Sequence, residues 1–270
     1  MTRKGFIRKA TAWGSTVTAL LLSSCGRPSA EEILADTVSN LGTIESGKVT
    51  MRMLTGVTNE PQSDVGFELT GPFSIQEGSL IANITYTKVA GPERATARFI
   101  STGDRAFVET DDGVQEVPLI PFSREIGGAD RGLGALPIGH WFEDPNLSDG
   151  GRVGGTETYR VRARLNVGAA LADLFALARQ LGAGGVAGLP PLGQADLEHL
   201  QRVVRSGEIA IHTGKDDRLL RRLIMDVSFG ASGPSELDAV LESLSGVRFT
   251  LELSIDEPNL PIDEVTPPTP

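Results

Sequence analysis

"TYRVRARLNV", Thr158 to Val167, decides how this chain folds. Tyr159, Val161, Ala163 and Leu165 alternate with Arg160, Arg162 and Arg164. At period two, every apolar side chain falls on one face and every guanidinium on the other. A strand of that kind belongs to an antiparallel sheet with one apolar face and one wet face.

Downstream, Asn166 caps a helix in "NVGAALADLFALARQL", whose stripe is Val167, Ala170, Leu171, Leu174, Phe175, Ala178 and Leu181. The Gly/Pro-rich linker "GAGGVAGLPPLG" leads to a second helix, "QADLEHLQRVV", with Leu197, Leu200, Val203 and Val204 as its apolar set. "EIAIHT" and "RRLIMDVSF" then pair across "GKDD", and "VRFTLELSI" closes the series. Upstream, Pro118 to Thr156 reads as a long irregular connection containing "GHWFEDP". A loop of that length is a lid, a portal or an insert. Trp141 and Phe142 are its large apolar residues, either pinning the loop to the sheet edge or standing as candidate portal residues at a cavity mouth.

The first half repeats the strand pattern in "GKVTMRML", "DVGFELTGPF" and "SLIANITYTK". "ATARFI" and "RAFVET" follow across "STGD", and "VQEVP" follows "DDG". A helix precedes them in "EEILADTVSNLGTI", with Ile33, Leu34, Val38, Leu41 and Ile44 on one face and Glu31 and Glu32 suiting its N-terminal dipole. The fold expected is α+β: a large curved antiparallel sheet of about ten strands, a half-open β-barrel, with helices covering the concave face. Met51, Met53, Phe67, Leu69, Ile84, Tyr86, Phe99 and Val161 are expected on that face, opposite Leu171, Leu174 and Phe175 of the helix. Two outcomes stay open from pattern alone: a dry, filled core, or an acyl-chain cavity between sheet and helices.

The amino terminus adds a location. Arg3, Lys4, Arg8 and Lys9 precede an uncharged run, Ala10 to Leu22, too short to span a bilayer. Small residues follow, then Cys25, the only cysteine among 270 residues. Residues 1–24 read as a signal peptide, 25–30 as a tether, 31–264 as one domain and 265–270 as a disordered tail. Loss of residues 1–24 removes four basic residues and no acidic one, making a formal charge of −10 more negative still. Such a body is repelled by nucleic acid, which is excluded as a partner.

Catalytic patterns are lacking. His140, His199 and His212 have no ligand spacing between them, and no metal or other cofactor is expected. "GAGGVAG" follows a helix, not the strand a dinucleotide loop needs. Asp111-Asp112 and Asp216-Asp217 fall in hairpin turns, where Asp is favoured for backbone reasons. No G-x-S-x-G elbow occurs, and the chain is read as a non-enzyme.

Several of these stretches resemble the LppX/LprG-type lipoproteins of actinobacteria. Leu22-Ser23-Ser24-Cys25 resembles a lipobox, whose cysteine is acylated and becomes the first residue of the mature chain. "VGFELTGPF", "STGDRAFVE", "HWFEDP" leading to "GTETYRVRARLNVGAALADL", and "LELSIDEPNLPI" follow in the same order. The resemblance implies a half-open barrel similar to the LolA/LolB carriers. It implies a lipoprotein anchored through Cys25 to the extracytoplasmic face of the bacterial cell membrane, binding acylated lipids or glycolipids and carrying them through the envelope. A membrane lipid transporter is a further candidate partner. The alternatives are a carrier or chaperone for other lipoproteins, and a non-transport envelope module with a filled core. An acyl chain of palmitate length needs about 13 kcal/mol of replacement apolar contact, so a small cleft will not serve a carrier.

Overall fold

A computed structural model describes residues 27–118, 138–170, 172–173, 204–230 and 246–268. The strands are β1 (Ser46–Val57), β2 (Glu60–Gln76), β3 (Ser79–Ala90), β4 (Glu93–Thr102), β5 (Ala106–Thr110), β6 (Gly113–Val117), β7 (Phe142–Val153), β8 (Thr156–Leu165), β9 (Val204–Gly214), β10 (Leu220–Phe229) and β11 (Val247–Asp256). They form one antiparallel sheet in the order β6-β5-β4-β3-β2-β1-β11-β10-β9-β8-β7. One meander runs outward from β1 to β6; the other returns from β7 and sets the last strand beside the first. β6 and β7 do not pair, so the sheet is open.

The strand expected at Thr158–Val167 is β8, and the nine other expected strands are present. The eleventh, β7, corrects the irregular connection read from Pro118 to Thr156: Trp141 ends a 3-10 turn (Ile138–Trp141), and Phe142 begins a strand. Two register shifts against β8, between Glu143 and Asn146 and between Asp149 and Gly151, break its alternation. β7 lies at the edge of the sheet, where Pro145 needs no ladder partner. The second helix expected from Gln194 lies outside the described residues except for Val204, which starts β9.

Helix α1 (Ala30–Asn40) starts at Ser29, whose side chain accepts the Glu32 N–H at 3.1 Å. That cap satisfies one of the free donors of the first turn, and Glu31 and Glu32 complement the dipole there. α1 lies against β7, β8 and the Ile138–Trp141 turn. Its Ile33 and Leu34 enter a core with Trp141, Val161, Ile211 and Met225. Each such side chain contributes about 2 kcal/mol on burial. Thr37, fully buried, shares a 2.7 Å hydrogen bond with Thr213 of β9 and donates to the Ile33 carbonyl.

The opposite face carries an ionic lattice between neighbouring strands: Arg52–Glu68, Arg98–Glu109, Arg222–Glu252, Arg248–Asp226 and Arg162–Glu208. Exposed pairs of this kind contribute about 0–1 kcal/mol each. Their larger effect is on register, since a one-residue slip would move every arginine into the core.

Candidate functional site

The strand registers place all eight strand residues expected on the apolar face together. Val161 of β8 faces Ile211 of β9, and the row continues through Leu223, Leu253, Met51 and Leu69 to Tyr86 of β3. A parallel row runs Ala163, Ile209, Met225, Leu251, Met53 and Phe67. Ile84 and Phe99 face each other on β3 and β4 of the same surface. The six residues that bridge Val161 to Met51 and Ala163 to Met53 carry the same period-two signal that singled out the others. The signal was there for all of them.

Burial changes along the rows while apolar character does not. At the β8–β9 end, Val161 and Ile211 are 0% exposed in the core that α1 enters. Met51, Met53 and Leu253 are partly buried against the edge of that core. Phe67, Leu69, Ile84 and Phe99 lie beyond it and are half-buried. Tyr86 is 37% exposed, and Val65 on the same face of β2 is 55% exposed. The Phe67 and Tyr86 rings stack with centroids 6.0 Å apart. Among the described residues, α1 packs into the core at one end of the apolar face, and aliphatic and aromatic side chains on β2 to β4 at the other end are partly exposed.

Leu171, Leu174 and Phe175 lie outside the described residues, as do Cys25 and His199. A helix starts where expected after β8: Asn166 Oδ1 accepts the Ala169 N–H at 3.1 Å. Trp141 is 1% exposed, and Phe142 is buried in the same core. The Trp141 indole donates to Asp173 Oδ2 at 2.7 Å, and His140 Nε2 lies 2.9 Å from the same oxygen. Asp173 thus ties the start of β7 to the helix after β8. It sits off the apolar stripe of that helix, and no spacing rule marked it.

The paired aspartates stand in turns. Asp217 accepts the Leu219 N–H and pairs with Arg221, which stitches the β9–β10 hairpin. Asp111 and Asp112 form the β5–β6 turn. Nearby, Arg105 holds the Glu116 carboxyl below the usual carboxylate range. The Gly151 N–H, with Lys215 behind it, does the same for Asp149. Among the described residues, no three His, Cys, Asp or Glu side chains converge as a metal site. No helix among them is long and apolar enough to cross a membrane.

No family model matches the chain, and no curated protein does. Among solved structures, it is similar to LprF from Mycobacterium bovis, at 13% identity and a TM-score of 0.47 over 89% of this chain and 100% of that one. It is also similar to a LolA-superfamily protein from Nitrosomonas europaea, at 9% identity and a TM-score of 0.25 over 87% of this chain and 96% of that one. At these values neither likeness carries an argument about ligand or activity.

Proposed function

We propose that this chain is a lipid-binding lipoprotein that takes an acyl chain on the uncovered part of its apolar face and carries it through the cell envelope. The observation that supports the reading is the change of burial along continuous apolar rows. A face built only to fill a core has no use for Phe67, Leu69, Ile84, Tyr86 and Phe99 beyond the reach of that core. Contiguous exposed apolar surface marks a place for an apolar partner. Two further features suit a lipid. The face runs without interruption into the covered end, so a long chain has contacts along its length. Its partly exposed members include Met51, Met53 and aromatic rings, which adapt to a chain of variable shape. Cys25 would carry the anchor, holding the carrier near its source, and the membrane would then be both the attachment and the reservoir.

Mass spectrometry of the intact protein purified from its native host, with its extracted lipids, tests both parts. The expected result is an acylated amino-terminal Cys25 and co-purifying acylated lipid or glycolipid in near-equal molar amount. Protein that carries no lipid, and that transfers none between vesicles, would leave the apolar face as the wall of an envelope module.

A further inference from the structure

β8 presents three arginines on the face opposite the apolar rows, and they are not treated alike. Arg162 pairs with Glu208. Arg164 pairs with Asp144 at 2.6 Å and lies 3.7 Å from Glu143. Arg160 has no carboxylate within ion-pair distance among the described residues. Its cross-strand partner on β9 is His212, and the partner of His212 on β10 is Arg222. Cationic groups set directly opposite one another weaken a sheet.

The surroundings sharpen this. His212 is only 9% exposed, and burial holds its ring below the ordinary histidine range, with Arg160 and Arg222 pushing the same way. From β8, Thr158 Oγ1 lies 3.5 Å from His212 Nδ1; from β7, a hydrogen bond with the Gly150 backbone works weakly in the opposite direction. Arg222 shares its charge with Glu252 at 3.2 Å and donates to Ser254 Oγ at 3.2 Å. Arg160 Nε is buried and has no hydrogen-bond partner. A buried guanidinium donor left without an acceptor loses its hydration with nothing in return. What Arg160 lacks is a negatively charged acceptor.

We propose that Arg160, His212 and Arg222 form a binding site for a phosphate group, carried by a lipid headgroup or free in solution. The three side chains come from adjacent strands about 4.8 Å apart, so one ligand must offer acceptors in several directions. A tetrahedral phosphate does so, whereas a planar carboxylate fits one guanidinium. Ser148, across from Arg160 on β7, donates its hydroxyl to the Arg160 carbonyl at 3.4 Å and so ties β7 to the arginine's own backbone. The site lies on the face away from the acyl-chain surface and stands or falls independently of it.

Histidine ring NMR of the full chain in nonionic detergent tests this. Inorganic phosphate, compared with chloride at equal ionic strength, is expected to raise the His212 pKa, because a bound oxyanion offsets both arginines. Arg160→Gln is expected to weaken phosphate binding about tenfold or more, as loss of a charge-assisted bond implies. Arg162→Gln, one pair along the same strand, is expected to leave it unchanged. Should Arg160→Gln fail to fold, Arg160→Lys keeps the charge, removes the Nε donor, and is expected to weaken binding in the same direction. Phosphatidylcholine vesicles with and without phosphatidylglycerol separate the sources: a response to the anionic vesicles alone assigns a headgroup, and a response to inorganic phosphate assigns the free ion. A His212 titration identical in phosphate, anionic vesicles and chloride overturns the proposal. So does equal weakening by Arg162→Gln and Arg160→Gln, which would reduce it to general attraction.

Discussion

Trp141 carries more of the structure than its place before an edge strand suggests. Its ring is buried in the core and its N–H is satisfied by a carboxylate that His140 also approaches. Trp141→Phe keeps most of the ring volume and removes the donor, and is expected to cost about 1–2 kcal/mol in denaturant unfolding. Trp141→Ala also leaves a cavity and is expected to cost about 3–5 kcal/mol. Trp141→Phe made in an Asp173→Asn background should cost less than in the wild type, because the two groups share one bond. These values describe a pin. A Trp141→Ala protein that kept its stability and altered only the rate of lipid transfer would make the residue a gate instead.

Among the elements, β2 is the one on which the shape of the sheet depends. It is 17 residues long and carries Gly66 and Gly71. A Cβ on Gly66 would sit 1.9 Å from the Met53 carbonyl oxygen, and one on Gly71 would sit 2.0 Å from that of Asn83, where φ is also +154°. The obstacle is backbone in both places, so no side chain can swing away. Gly66→Ala is expected to destabilise by roughly 2 kcal/mol or more, with a matching fall in melting temperature. In the alternation of "DVGFELTGPF", Gly66 stands simply as a position on the face opposite Val65 and Phe67. Alternation reports which face a residue takes, and it is silent about how closely two strands approach. The same limit explains β7. Ten strands were legible because nearly all of them alternate with a period of two over most of their length, and the eleventh was hidden because its composition is that of a loop and its register slips twice within twelve residues. The apolar rows were legible for the same reason the ten strands were. Asp173 and the Arg160–His212–Arg222 row were not, since each is created by strand or helix neighbours far apart in the chain.

Across the molecule, the described part of the apolar face divides into a buried half and a partly exposed half, and the two should answer mutation differently. Ile211→Glu buries a charge beneath α1 and is expected to cost more than about 4 kcal/mol, so that little folded protein survives. Leu69→Glu, in the same cross-strand row but past the edge of the core, is expected to cost about 1 kcal/mol while abolishing lipid transfer between vesicles. Equal stability losses at the two positions would mean that the face is a single closed core. The two margins of the sheet are also unequal. β6 ends it with a plain five-residue strand. β7 ends it with Pro145, with Asp144 at φ +54°, and with two slips of register. An incoming strand finds no regular run of donors and acceptors along β7. Among the described residues, β6 is the edge regular enough for a second copy to pair with, and two copies joined there would present β7 outward on both sides. Such a pair would expose only irregular edges, so pairing along the strands would end there.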